Sequence, residues 1–124
     1  MANQGPVNAD ELVTFTLDTT AVIKVGSPKG RGVIGSWSFS IYAPAGSNWT
    51  SKSITLKGRI KGGSSVNDPP FALGYDKADG TSAAGTAITA DILGWVRCDE
   101  VDLYLDYTHG GTGPILVQLR PMQG

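Results

Sequence analysis

Glu100-Val-Asp-Leu-Tyr-Leu-Asp-Tyr107, then Thr108-His-Gly-Gly-Thr-Gly113 and Pro114-Ile-Leu-Val-Gln-Leu-Arg120, is the stretch that decides how the chain is read. Val101, Leu103, Leu105 and Tyr107 alternate with Glu100, Asp102, Tyr104 and Asp106, and a period of two marks a half-buried strand. Ile115, Val117 and Leu119 repeat the pattern. The stretch reads as two strands joined by a glycine-rich turn. Keeping both apolar sets on one face of a hairpin fixes the parity of its register. In either of the two tightest registers Arg120 stands opposite Glu100 or Asp102. Ile54, Leu56, Val101, Leu103, Leu105, Ile115, Val117 and Leu119 are the expected core.

The same alternation recurs upstream. Leu12–Leu17 places Val13, Phe15 and Leu17 on one face, and a short strand follows over Ala21–Val25. Val33–Tyr42 sets Trp37, Phe39 and Ile41 against Ser36, Ser38 and Ser40. Ser53–Ile60 sets Ile54, Leu56 and Ile60 against Thr55, Lys57 and Arg59, with Gly58 on the inward set, where a bulge or close approach is expected. Phe71, Leu73 and Tyr75 read as one short strand. Over residues 86–96 the pattern is ambiguous and favours a strand near Ala87–Thr89 with a turn leading to Gly94. Gly26–Gly32 and Lys61–Pro70 read as loops from their Gly and Pro content.

Short strands at regular spacing, without sustained helical periodicity, predict an all-β, single-domain antiparallel β-sandwich, with an eight-stranded jelly roll as the favoured form. Residues 1–10 form an extended N-terminal arm and residues 11–124 the sandwich domain. A chain of 124 residues buries about two-thirds of its unfolded surface, enough for a core without metal or disulfide. Seventeen glycines suit a turn-rich β domain. Cys98 is the only cysteine, so no intrachain disulfide can form.

Charge narrows the function classes. Charged residues make up 17% of the chain, below the ~25% of an average soluble domain, which suggests that part of the surface is covered by another protein. The net charge is −1 and the basic residues form no long block, so nucleic acid is not an expected partner. Lys24, Lys29 and Arg31, and Lys52, Lys57, Arg59 and Lys61, read as solvated strand faces. Met1-Ala-Asn-Gln-Gly-Pro-Val-Asn has neither a basic start nor an apolar run, so synthesis in a reducing cytoplasm is expected. No segment approaches the ~20 apolar residues that span a bilayer, and no membrane partner is expected.

Candidate chemistry is sparse. His109, the only histidine, sits at the glycine-rich turn with no partner nearby in sequence for a catalytic constellation. Cys98 reads as a small semi-buried thiol. Asp99, Glu100, Asp102 and Asp106 could share a sheet face for acid/base work or calcium, but that spacing equally gives a solvated or protein-contacting face, with Arg120 compensating part of it. Asp76-Lys-Ala-Asp-Gly80 lacks a calcium loop's ligand series and reads as a turn. Asn48-Trp-Thr50 matches a glycosylation sequon only incidentally. No catalytic, cofactor or metal residue is assigned, and the chain is read as a non-enzyme.

The aromatics carry more information. Trp37 and Phe39 belong to the core, whereas Trp49, Trp95, Tyr42, Tyr75, Tyr104 and Tyr107 fall at strand ends, on outward faces or near loops. Val7, Trp49, Tyr75, Trp95 and Tyr104 are the candidate protein-contact residues, since aromatics dominate interface hot spots.

The Met1-Ala-Asn start, the serine-alternating Gly35-Ser-Trp-Ser-Phe-Ser-Ile41 and the ending from Val101 to Arg120 together resemble the small β-sandwich proteins that decorate and cement tailed-bacteriophage capsids. The resemblance implies a structural virion protein on the capsid surface, made in the host bacterial cytoplasm. It further implies binding to the major capsid protein and self-association as a homodimer or homotrimer. A carbohydrate- or receptor-binding module of a phage fibre or tail is the alternative. It requires rings such as Trp49, Trp95 and Tyr75 to line up on one exposed surface.

Overall fold

The computed structural model describes residues 12–26, 35–63 and 71–122. The expected arm with Val7, Val33, nearly all of the Gly26–Gly32 loop and most of the Lys61–Pro70 loop lie outside the described residues. Within them the strands are β1 (Val13–Leu17), β2 (Ala21–Gly26), β3 (Ser36–Tyr42), β4 (Ser53–Ile60), β5 (Phe71–Ala72), β6 (Tyr75–Lys77), β7 (Ser82–Ala83), β8 (Ile92–Arg97), β9 (Val101–Thr108) and β10 (Ile115–Met122). They make two antiparallel sheets, one of six strands in the order β1-β10-β3-β8-β6-β7 and one of four in the order β2-β9-β4-β5. The protein is an all-β sandwich. The six-and-four division does not establish a jelly roll.

Alternation explains why these segments pair as they do. β3 runs buried at Trp37, Phe39 and Ile41 and half-buried at Ser36, Ser38 and Ser40, and β4 buries Ile54 and Leu56 between half-buried polar residues. The core between the sheets joins Leu17, Trp37, Phe39, Ile41, Ile54, Leu56, Ile88, Val96, Leu103, Leu105, Tyr107, Ile115, Val117 and Leu119. Each large aliphatic side chain removed from water there contributes about 1.5–3 kcal/mol. The Phe39 and Tyr75 rings meet edge to face, 5.9 Å between centroids. Seven of the eight expected core residues are buried, and Val101 is partly buried against the same core.

The expected hairpin is not formed. β9 lies between β2 and β4, whereas β10 lies between β1 and β3 in the other sheet. Their apolar sets face one another across the core instead of side by side. Arg120 stands opposite Ser38, and Asp102 stands opposite Arg59. Alternation says which side of a strand is apolar, and it is satisfied equally by a hairpin neighbour or by a strand about 10 Å away in the facing sheet. The connection His109–Pro114 is long enough for the second solution, an arch from sheet to sheet.

Two further expectations are corrected. The strand of the ambiguous segment is β8, which runs straight through Gly94, while near Ala87–Thr89 there is only a single bridge between Ile88 and Ile54. Gly94 is buried where β8 crosses β6, and any Cβ there would collide with the Asp76 carbonyl oxygen, so the glycine marks a close approach and not a turn. Phe71, Leu73 and Tyr75 do not share one strand either. β5 pairs with β4, and after Gly74 β6 pairs with β8 in the opposite sheet. At Gly58 the close neighbours are the Val101 and Leu73 side chains.

Candidate functional site

The two outer faces differ in kind. On the four-stranded sheet β2 presents Lys24, β9 presents Asp102, Tyr104 and Asp106, and β4 presents Thr55, Lys57 and Arg59. Lys57 Nζ lies 2.9 Å from Asp106 Oδ2 and Lys24 Nζ 3.7 Å from Asp102 Oδ2. The Arg59 guanidinium carbon sits 5.9 Å from the centre of the Tyr104 ring. The flanking chains cover Asp102 almost completely, to 8% exposure. Charge alternation along neighbouring strands thus links β2, β9 and β4 from outside. Arg120 takes no part, being on the other sheet.

The outer face of the six-stranded sheet instead carries small hydroxyls and one amide over β1, β10 and β3, with the charged Arg120, Arg97 and Asp76 grouped around Trp95. Thr14 and Thr16 of β1 lie beside Gln118 and Leu116 of β10, which lie beside Ser40 and Tyr42 of β3. Ser40 and Ser38 pair in turn with Leu93 and Trp95 of β8, and Trp95 with Asp76 of β6. Leu93 and Trp95 stand out of this floor, 60% and 40% exposed. Beside Trp95 lies a shallow depression of about 390 Å³ bordered by Gly74, Asp76, Ser82 and Arg97. The Ser82 hydroxyl donates to Asp76 Oδ1 at 2.7 Å. A wider groove of about 620 Å³ runs between the β6–β7 hairpin and residues 84–93, its lining mixing alanines with threonines, aspartates and apolar residues.

At one end of the sandwich the loops brace one another around a buried lysine. The turn Trp49–Lys52 closes through Lys52 N–H on the Trp49 carbonyl, with Ser51 at φ 57. Lys52 is 3% exposed, and its ammonium donates to the carbonyls of Asn48 at 2.6 Å and Thr112 at 2.8 Å. Asn48 Oδ1 accepts the N–H groups of Thr50 and Thr112. The arch lies flat on this loop. A Cβ on Gly110 would stand 2.5 Å from the Ser51 carbonyl oxygen, and one on Gly111 2.5 Å from that of Thr50. Gly111 and Gly113 also adopt positive φ, which side chains resist. The glycines are therefore required by the sheet-to-sheet crossing, and Lys52, expected on a solvated face, is its internal clamp.

The remaining candidates resolve into structural roles. The phenolic oxygen of Tyr107, a fully buried residue, lies 2.7 Å from His109 Nδ1, and the His109 N–H donates to Thr20 Oγ1. Burial, then the Asp18 charge, pushes the Tyr107 hydroxyl up. Cys98 is 1% exposed; burial, then the Asp99 and Asp102 carboxylates, push its thiol up to about 12. That is the opposite of an activated thiolate. Asp79 caps its own hairpin turn by accepting from the Thr81 hydroxyl and N–H, which hold its carboxyl below the usual range. Asp99, just after β8, is held low first by Arg97 and then by the Gly35 N–H. Among the described residues, no group of three or more His, Cys, Asp or Glu side chains is placed to hold a metal ion.

The candidate contact residues are scattered. Trp95 is exposed on the six-stranded sheet and Tyr104 half-buried on the four-stranded one. Trp49 packs partly on the core, and its indole N–H donates to Asp91 Oδ1 at 2.8 Å. Tyr75 is 6% exposed, its hydroxyl on the Thr86 carbonyl. Trp49, Tyr75 and Trp95 therefore do not form one exposed platform. Sequence reasoning also missed Asp91, whose carboxylate ties Trp49 to the Ala43 N–H. No local pattern distinguishes it from any loop aspartate.

No protein-family model, curated protein or solved structure matches the chain. Among the described residues, no helix is long and apolar enough to cross a membrane.

Proposed function

We propose that the chain is a non-enzymatic structural virion protein that binds the major capsid protein and stabilises the phage shell. The observation that carries a binding role is the outer face of the six-stranded sheet. Its floor of Ser36, Ser38, Ser40, Thr14, Thr16 and Gln118 offers adaptable hydrogen bonds at little desolvation cost, and Trp95 and Leu93 stand above it as anchors. An exposed tryptophan beside small hydroxyls, with Asp76, Arg97 and Arg120 around it as a charged rim, is the arrangement of an interface hot spot. The partner is assigned by the resemblance of residues 35–41 and 101–120 to capsid-decorating sandwiches. Self-association as a homodimer or homotrimer belongs to the same reading.

The test is co-sedimentation of the purified chain with shells, alongside mass spectrometry of virions. A copy number near a simple fraction of the capsid protein is expected, and Trp95→Ala is expected to weaken shell binding about thirtyfold, the effect of a hot-spot anchor. A chain that neither sediments with shells nor occurs in virions overturns the reading.

The carbohydrate-binding alternative lacks its platform of three rings and rests on one observation, the depression bordered by Trp95, Asp76, Ser82 and Arg97. A ring for stacking beside a carboxylate, a hydroxyl and a guanidinium suits a sugar with adjacent hydroxyls. A glycan array decides it. Hits abolished by Trp95→Ala support this alternative, and an array without hits removes it.

A further inference from the structure

The described sheets end in four edge strands, β1 and β7 on the larger and β2 and β5 on the smaller. An exposed edge is a template for another strand, and proteins blunt such edges by shortness, charge, proline or a bulge. Three of these four are blunted. β5 and β7 have two residues each. β2 carries the exposed Lys24, and its register with β9 breaks between Lys24 and Gly26. β1 has none of these devices. Val13-Thr-Phe-Thr-Leu17 is five residues of high strand preference without charge, proline or glycine, and its ladder to β10 runs unbroken from Val13–Leu119 to Leu17–Ile115.

The same flank is also thinly covered. Leu17 is 2% exposed, but Val13 and Phe15 of β1 are only partly buried, as are Ile23 and Val25 of β2, the strand that follows after a three-residue turn. Among the described residues, a backbone edge without a strand partner thus runs along an incompletely covered apolar seam.

We propose that β1 is the self-association edge of this protein and pairs antiparallel with β1 of a second copy about a two-fold axis at Phe15. The axis keeps both apolar sets facing inward, since it relates residues whose numbers sum to an even value. Centred on Phe15 it overlaps all five residues, with Val13 against Leu17, Thr14 against Thr16 and Leu12 against Asp18 of the other copy. No like charges meet, and threonine pairs across an antiparallel ladder are favourable. The two six-stranded sheets become one continuous sheet, and a closed isologous dimer results. A five-residue ladder alone buries less than the ~1,200 Å² of a standard stable interface, so the dimer is concentration-dependent. This selects the dimer over the trimer, and it concerns the chain alone, so its failure leaves capsid binding untouched.

The test is sedimentation velocity of the full chain from micromolar to millimolar concentration, without shells. The wild type should move from monomer to dimer. Thr14→Lys/Thr16→Lys sets like charges opposite each other and should stay monomeric with an unchanged circular dichroism spectrum. Thr14→Lys/Thr16→Glu sets opposite charges against each other in the same register and should restore the dimer. Independently of any variant, amide exchange at 13–17 should slow as the wild-type concentration rises. A monomer at every concentration overturns the proposal, and so does a trimer. A dimer that tolerates the double lysine variant, or exchange at 13–17 that ignores concentration, overturns it as well.

Discussion

The two outer faces of this sandwich are built from strands with the same alternation, yet their outward positions do different work. On the four-stranded sheet Lys24, Asp102, Arg59, Tyr104, Lys57 and Asp106 engage one another across strands, so the face is largely satisfied within the molecule. On the six-stranded sheet the serines and threonines make few bonds to each other, and the Ser40 hydroxyl reaches Gln118 only at 3.4 Å. That face leaves its hydrogen-bonding capacity and Trp95 open to a partner. The lesson is that one alternating pattern supports either internal cross-linking or external binding, and the outward residue types decide which.

The largest expected effect separates what lies beneath the faces from what lies on them. Leu103 is fully buried on β9, and Leu103→Ala should cost about 2–5 kcal/mol in urea unfolding through lost burial and the cavity left behind. Leu93→Ala, on the outer face of β8, should cost under about 0.5 kcal/mol, as exposed positions do. Equal losses would mean that Leu93 is covered within the fold and that the open face is misassigned. Next in size is the clamp between the sheets. Lys52→Met keeps the aliphatic stem but deprives the Asn48 and Thr112 carbonyls of their donor, a loss of about 1–3 kcal/mol for buried polar groups. Amide exchange should then accelerate in the arch at 109–114 before it does in β9 or β10. An arch that exchanges as before would show that the glycine contacts alone hold it.

These effects trace what the sequence made legible. The inward sets of β3, β4, β9 and β10 follow from alternation, because burial of one face imposes a period of two whichever strand lies alongside. Which strand lies alongside is not encoded there, and so β9 and β10 read as a hairpin while they face each other across the core. The clue lay in Gly110, Gly111 and Gly113, too many glycines for a tight two-residue turn but suited to a flat arch. Lys52 and Asp91 were illegible for a different reason. Their partners are backbone groups on distant loops, and only the assembled fold brings those within reach. Trp95 was legible as an outward-facing ring, whereas Tyr75, of the same alternating type, lies on the inward side of β6.

A smaller effect tests whether the charged face really cross-links its strands. A double-mutant cycle on Lys57→Ala and Asp106→Ala should give a coupling of ~0.2–1 kcal/mol, the range for partly exposed ion pairs. The coupling should shrink as salt shortens the screening length. The parallel cycle on Ser38→Ala and Ser40→Ala should give no coupling at any salt concentration. Coupling between the serines would mean that the six-stranded face is internally organised too, which would weaken the contrast between the faces.

The smallest expected effect is the pH dependence contributed by Asp91, at the rim of the six-stranded sheet. The Trp49 indole N–H first, and the Ala43 N–H second, hold its carboxyl below the ordinary value. The folded state therefore releases this proton more readily than the unfolded chain does. The resulting stabilisation is complete above the unfolded carboxylate value of ~3.9 and is lost as pH falls through the depressed folded value. Asp91→Asn keeps an oxygen acceptor but not the charge. The wild type should exceed the variant in stability near neutral pH, and the gap should close in acid, where the protonated aspartic acid and the amide bond alike. Because the carboxylate is largely exposed, solvent screening keeps the gap small. Chemical unfolding of both proteins from neutral pH into the acid range measures it. A gap that is unchanged across that range would show that Asp91 acts through shape alone and that its charge contributes nothing at this rim.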